Sequence, residues 1–136
     1  MKKCQFCELK SSNSKLFSDA KYFAFEDIDK ASAKQHVLVC TNKHIETPMD
    51  VESKDTLLEM REVGRKVLEG MCDQNDWKKE FRFGFHLPPF QTVSHVHLHC
   101  FVLPFESTVQ DKMTFGKFLT SVEDAIKELH QPIGNM

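Results

Sequence analysis

Between Val93 and Leu103 the chain reads Val-Ser-His-Val-His-Leu-His-Cys-Phe-Val-Leu, with histidines at 95, 97 and 99 and apolar residues between them. Strand side chains alternate between faces, so this spacing predicts a strand from Val93 to Leu103 with three imidazoles on one face, about 6–7 Å apart. Val96, Leu98 and Cys100 then point the other way, where they can be buried. A lone histidine in a strand is ordinarily a packing residue. Three on one face, backed by an apolar reverse side, point instead to a cleft lined with imidazole. Such a row suits either of two chemistries, because imidazole is both a metal ligand and a nucleophile or general base near neutral pH. The spacing alone leaves both open.

The remaining pattern supplies partners for that strand. Tyr22-Phe23-Ala24-Phe25 and His36-Val37-Leu38-Val39-Cys40 are aromatic and β-branched runs of strand length, separated by a charged turn from Glu26 to Lys34. Phe81, Phe83 and Phe85 alternate with Arg82 and Gly84, again with period two, before the chain meets Pro88-Pro89. After Ser53, the residues Leu57, Met60, Gly64, Val67 and Met71 recur at spacings of three and four, which predicts a helix ending near Gly70. A second helical stripe is expected over Phe115, Phe118, Leu119, Val122, Ile126 and Leu129, with Thr114 as N-cap and Pro132 and Gly134 as the stop. Strand, strand, helix, strand, strand, helix is not the alternation of a doubly wound sheet. It predicts an α+β fold, an antiparallel sheet of about five strands with two main helices packed on it.

A chain of 136 residues is long enough for one domain, expected to span 1–136, and short for two. Eighteen basic residues against twenty acidic ones give a net charge of −2, without the basic footprint that grips a phosphate backbone, so nucleic acid is not an expected partner. No apolar run reaches membrane-spanning length, and Met1-Lys2-Lys3-Cys4-Gln5 leads into no secretory h-region; membrane is not an expected partner, and a cytosolic or nuclear location is expected. Five scattered cysteines read as reduced thiols rather than a disulfide framework, with Cys40, Cys72 and Cys100 as small core residues. Cys4 and Cys7 form a C-x-x-C pair that fits a redox motif, a metal hook or neither.

Ser94-His95-Val96-His97-Leu98-His99, completed by Cys100 and Phe101, resembles the His-φ-His-φ-His-φ-φ signature of the histidine triad superfamily. The resemblance runs from Cys4 to Pro104. Cys4-Gln5-Phe6-Cys7 is similar to the family's N-terminal segment, Phe25-Glu26-Asp27-Ile28 to its ribose-binding strand end, and His36-Val37-Leu38-Val39 with Asn42-Lys43-His44-Ile45 to the next strand and turn. Gly84-Phe85-His86-Leu87-Pro88-Pro89-Phe90 is similar to a segment of the third Hint branch, where the founding Hint branch has an asparagine and a glycine-rich loop.

The resemblance implies a HIT-like fold and a nucleotide hydrolase that works through a covalent nucleotidyl-histidine. It makes His97 the nucleophile, His99 and His36 the flanking residues that hold phosphate oxygens and the nucleophile, and Gln91 and Thr92 the pair along the phosphate and leaving group. It gives Asp27 to the ribose hydroxyls and Phe6, Leu9, Phe25 and Ile28 to the base, with His86 facing the phosphate. Cys4, Cys7, His44 and His95 match a structural zinc site carried by some members, a Cys₂His₂ set with no open position. No organic cofactor is implied. The implied partners are a purine nucleotide resembling AMP and a second copy of the chain, since these proteins usually pair and twelve phenylalanines can leave apolar surface to cover.

The favoured activity is hydrolysis of purine nucleoside 5′-phosphoramidates. A dinucleoside polyphosphate hydrolase or nucleotidyl transferase of the same superfamily is the enzyme alternative, although transferases usually carry glutamine where this chain has His99. A weakly catalytic, nucleotide-binding regulatory protein is the alternative from another class. An aprataxin-like DNA repair enzyme fits less well, with no C-terminal zinc finger or basic patch in the sequence.

Overall fold

The computed structural model describes residues 4–9, 15–26, 33–72, 80–87, 93–105 and 119–129, of which Leu9, residues 33–35 and residues 104–105 are described in backbone alone. The chain runs α1 (Gln5–Leu9), β1 (Phe17–Ser18), β2 (Tyr22–Glu26), β3 (Ala33–Thr41), a 3₁₀ turn at Pro48–Asp50, α2 (Lys54–Met71), β4 (Glu80–His86), β5 (His97–Phe105), β6 (Leu119–Ser121) and α3 (Val122–Leu129). The strands form one sheet in the order β1-β2-β3-β5-β4-β6, and each of the five neighbouring pairs is antiparallel. The α+β expectation holds, with six strands rather than about five; the additional β1 and β6 are only two and three residues long and carry little periodic signal.

Register divides the sheet into two faces, because residues directly opposite each other share a side. Ala24 pairs with Val39 and Val39 with Leu98, while Val37 pairs with Cys100 and Cys100 with Phe83. These residues form the main core with α2, whose Leu57, Met60, Val63 and Leu68 are buried. The buried stripe of α2 is centred on Val63, Gly64 and Leu68, leaving the expected Val67 and Met71 at its half-buried margin. Ser53 caps the helix by accepting from the Asp55 N–H, and the Cys72 N–H closes it on the Leu68 carbonyl, so it ends at Met71, next to the expected end near Gly70.

Gly64 is where α2 crosses β5 most closely. A Cβ at that position would lie 2.5 Å from Cys100 Sγ and 3.3 Å from Phe83, so the helix can seat on this strand only without a side chain there. Cys40 and Cys100 are buried and Cys72 is half-buried, all as free thiols, as the core reading of these residues expected.

Two boundaries differ from expectation. The strand expected from Val93 begins at His97, because the Val96 N–H donates to the Ile45 carbonyl at 2.6 Å instead of entering the ladder and the chain before it turns aside. The second helix begins at Val122, with the Ser121 hydroxyl accepting from the Asp124 N–H; Leu119 belongs instead to β6, paired with β4. Thr114, Phe115 and Phe118 lie outside the described residues, as do Pro132 and Gly134.

Candidate active site and metal-binding cluster

The other face of the sheet carries the chemistry. Phe23 pairs with Cys40 and Cys40 with His97; Phe25 pairs with Leu38, Leu38 with His99, and His99 with Gly84. His36 and Arg82 both pair with Phe101, two residues beyond His99 on the same side. The imidazole row is therefore flanked by apolar and aromatic residues, and the apolar reverse face of Val96, Leu98 and Cys100 is fully buried under α2, as the alternation predicts.

The rings touch one another along this face. His97 and His99 have centroids 5.0 Å apart, His86 and His99 4.5 Å, and His36 and His99 5.2 Å. His36 Nε2 and His99 Nδ1 are hydrogen-bonded at 3.0 Å, so one ring donates and the other accepts. Phe101 stacks on His36 at 4.3 Å and lies nearly parallel to His99 at 5.9 Å. The triad residues, His36 and His86 are all buried.

Burial governs their charge. Desolvation, reinforced by the neighbouring His86 and His97, lowers the His36 pKa to about 3. Desolvation together with His97, His36 and His86 holds His99 well below the usual histidine range. Desolvation also lowers His97 to about 4, against the opposing pull of its hydrogen bond to the His95 backbone. That bond is short: Nδ1 of His97 donates to the His95 carbonyl at 2.7 Å, which fixes the neutral tautomer with its lone pair on Nε2. A neutral ring with a defined lone pair is the state in which imidazole is a nucleophile.

Phe6, on α1, is buried over the row, with its ring edge-on to His97 at 4.9 Å, to Phe25 at 5.4 Å and to His95 at 6.1 Å. Phe6 thus stands between Phe25 and His97, in contact with both. The backbone of Leu9 lies on the same short helix. Asp27, Ile28, Gln91 and Thr92 lie outside the described residues.

The first triad histidine goes elsewhere. His95 Nδ1 lies 3.4 Å from Cys4 Sγ and 3.5 Å from Cys7 Sγ, and Cys7 Sγ lies 3.2 Å from His44 Nδ1. The four ligand atoms all fall within 4.8 Å of one another, making a potential metal-binding cluster. Zn–S and Zn–N bonds of ordinary length in a tetrahedron set sulfur and nitrogen about 3.6 Å apart, close to these separations. The His95 ring is oriented for such a role, because its Nε2–H donates to the Thr41 carbonyl at 2.8 Å and leaves the Nδ1 lone pair facing the thiols. Thr41 also donates its hydroxyl to the Lys43 carbonyl at 2.6 Å, bracing the turn that carries His44. The residues present fit a closed Cys₂His₂ site.

Two contributors to the site were given no role from the sequence. Thr41 acts through a backbone carbonyl, which no residue type announces. Phe101 continues the period-two row of 95, 97 and 99, so its place on the imidazole face was readable from the alternation.

Comparisons with known proteins agree with this geometry. The family model described as Scavenger mRNA decapping enzyme C-term binding matches residues 2–114. The chain is 39% identical over 109 residues to the bifunctional adenosine 5′-phosphosulfate phosphorylase/adenylylsulfatase HINT4 of Arabidopsis thaliana, covering 75% of this chain and 71% of that one. It is 32% identical over 126 residues to the adenosine 5′-monophosphoramidase HINT3 of Danio rerio, covering 88% and 75%. Among solved structures it is similar to a HIT family hydrolase from Legionella pneumophila, with a TM-score of 0.62 and 27% identity over 73% of this chain and 91% of that one. A histidine triad protein from Clostridium difficile gives a TM-score of 0.62 at 26% identity, covering 76% and 95%. With the family match, the identities and the imidazole row in agreement, the chain belongs to the histidine triad superfamily, resembles its Hint branch, and carries the histidine cluster of that family's hydrolases.

Proposed function

We propose that the protein hydrolyses purine nucleoside 5′-phosphoramidates, of the adenosine 5′-monophosphoramidase type, through a nucleotide covalently held on His97. The observation that carries this reading is the His97 Nδ1–H donated to the His95 carbonyl, which leaves Nε2 as the attacking atom within a row of uncharged imidazoles. In the first step the Nε2 lone pair forms the N–P bond while the P–N bond to the leaving amine breaks, and the amine departs with a proton delivered at its side by the Thr92 hydroxyl. In the second, water attacks phosphorus and gives a proton back to the Thr92 oxygen, the N–P electron pair returns to Nε2, and AMP is released. His36, His99 and His86 face the phosphate oxygens and stabilise the charge that builds there. Phe6, Leu9, Phe25 and Ile28 hold the base, Gln91 lies along the phosphate, and the Asp27 carboxylate accepts from the ribose hydroxyls.

The identity to HINT4 favours a second reading, in which the group leaving phosphorus is sulfate rather than an amine. Both readings share the nucleotidyl-histidine and differ in the leaving group alone. A protein with this pocket and little turnover is the non-enzymatic alternative, separated from both by single-turnover labelling.

Cys4, Cys7, His44 and His95 would hold a zinc ion, which in a closed four-ligand site supplies folding energy rather than reaction chemistry. Thiolates of that kind suit a reducing cytosolic or nuclear compartment. A homodimer is the proposed assembly, tested by light scattering at micromolar concentration, where a monomer mass contradicts it.

Initial rates decide the substrate. An adenosine phosphoramidate is expected to exceed a diadenosine polyphosphate by at least about a hundredfold in kcat/KM, equivalent to ~3 kcal/mol. Its 2′,3′-dideoxy form should lose one or two hydrogen bonds to a charged acceptor, ~1.5–3 kcal/mol each. Equal or faster cleavage of the polyphosphate contradicts the reading, and faster cleavage of adenosine 5′-phosphosulfate moves it to the second.

A further inference from the structure

The imidazole face continues past β5 in a direction that the roles above leave unassigned. Crossing the sheet on this side, one meets Phe25 on β2, Leu38 on β3, His99 on β5, Gly84 on β4, and beyond it β6. Leu119 pairs with His86, so its side chain shares the face of His86, Gly84 and His99. A Cβ on Gly84 would lie 2.5 Å from Leu119 Cγ, 2.8 Å from its Cδ2 and 2.9 Å from the Thr120 carbonyl. The side chain of Leu119 therefore fills the place that any other residue at 84 would occupy, beside the His86 ring that stands 4.5 Å from His99.

We propose that Leu119 is a specificity-determining residue that bounds the leaving-group end of the site. The inference rests on the reading given under Proposed function. If the base lies against Phe6 and Phe25 on the β2 side of His97, whatever is attached to phosphorus on its far side extends over β4 and β6. Neighbouring strands are about 4.8 Å apart, so the Leu119 backbone on β6 stands about 10 Å from β5, while its side chain, seated over Gly84 on β4, lies about one strand spacing from the β5 row. An amine as small as ammonia does not reach it, whereas one carrying an aromatic ring on a short alkyl chain does. Gly84 contributes no side chain to this end, and Leu119, which fills the place over it, sets how much room is left beyond the His99 ring. A methylene more or less in such an apolar contact changes discrimination by about tenfold or more.

The test uses binding, so that it does not depend on turnover. Titration calorimetry compares AMP with adenosine 5′-(2-phenylethyl)phosphonate, in which a P–C bond stands where the P–N bond would be, on wild type, Leu119→Ala and Leu119→Trp. The ratio of the two Kd values is expected to move about tenfold toward the phenylethyl ligand in Leu119→Ala and about tenfold away from it in Leu119→Trp. If Leu119→Ala does not fold, the Leu119→Trp ratio decides alone. A ratio that stays constant in the variants overturns the role of Leu119 while leaving the proposed function standing. Failure of the wild type to bind AMP overturns that function, and this inference with it.

Discussion

The carbonyl oxygen of His95 accepts from Nδ1 of His97 at 2.7 Å, while the His95 ring sits among Cys4, Cys7 and His44. The residue that joins the thiol cluster by its side chain thus holds the nucleophile candidate by its backbone. Metal at the cluster and tautomer at His97 are expected to be linked. Purified without chelator, the protein should carry about one zinc per chain, read by elemental analysis, and cobalt in its place should show thiolate charge-transfer bands. Cys4→Ser should lose the metal, lower the melting temperature and reduce kcat more than it weakens AMP binding. Metal-free wild type together with an unchanged Cys4→Ser variant would make the C-x-x-C pair incidental.

Packing gives a prediction independent of the chemistry. Gly64→Ala sets a methyl 2.5 Å from Cys100 Sγ, and both positions are buried in the crossing of α2 on β5. Overpacking of this kind costs about 1–3 kcal/mol. Adding Cys100→Ala should recover at least half of the loss in urea unfolding, because it removes the atom in the way. Strictly additive effects of the two substitutions would contradict the close approach.

Burial of neutral imidazoles sets the acid limit of stability. His36, with its pKa lowered to about 3, and His99, well below the usual range, stay unprotonated in the fold, whereas their unfolded counterparts take up protons as pH falls through about 6.5. The unfolded chain binds more protons, so stability is complete above that pH and is lost as pH falls from about 6.5 toward 3. Urea unfolding between pH 6.5 and 5, before most carboxylates titrate, should show a slope approaching or exceeding ~1.4 kcal/mol per pH unit, the work of one proton. His36→Gln should reduce that slope. A flat profile over this window would contradict the burial of neutral rings.

Much of this was legible in the sequence because period-two alternation is a local signal. Histidines at 95, 97 and 99 with Val96, Leu98 and Cys100 between them gave both faces of β5, and Leu57, Met60 and Gly64 gave the side of α2 that packs on it. What the sequence hid is non-local. Val93–Val96 has the composition of a strand, yet its backbone is drawn to Ile45, and the side chain of His95 to Cys4 and Cys7, about ninety residues away in the chain. Leu119 fits a helical stripe by spacing, yet it lies in β6 because Gly84 leaves it a place. The backbone acceptor on Thr41 has no residue-type signature at all.

The covalent step is tested most directly by trapping the nucleotide on the protein. Quench of wild type in alkaline denaturant within the first turnover on an adenosine phosphoramidate, followed by peptide mass spectrometry kept away from acid, should find an adenylyl group on His97 and on no other histidine. His97→Ala should show no adduct and less than a tenth of wild-type activity, while binding AMP within about tenfold of wild type. An adduct on a different residue, or a His97→Ala variant that keeps more than a tenth of the activity, would contradict the nucleophilic role of His97.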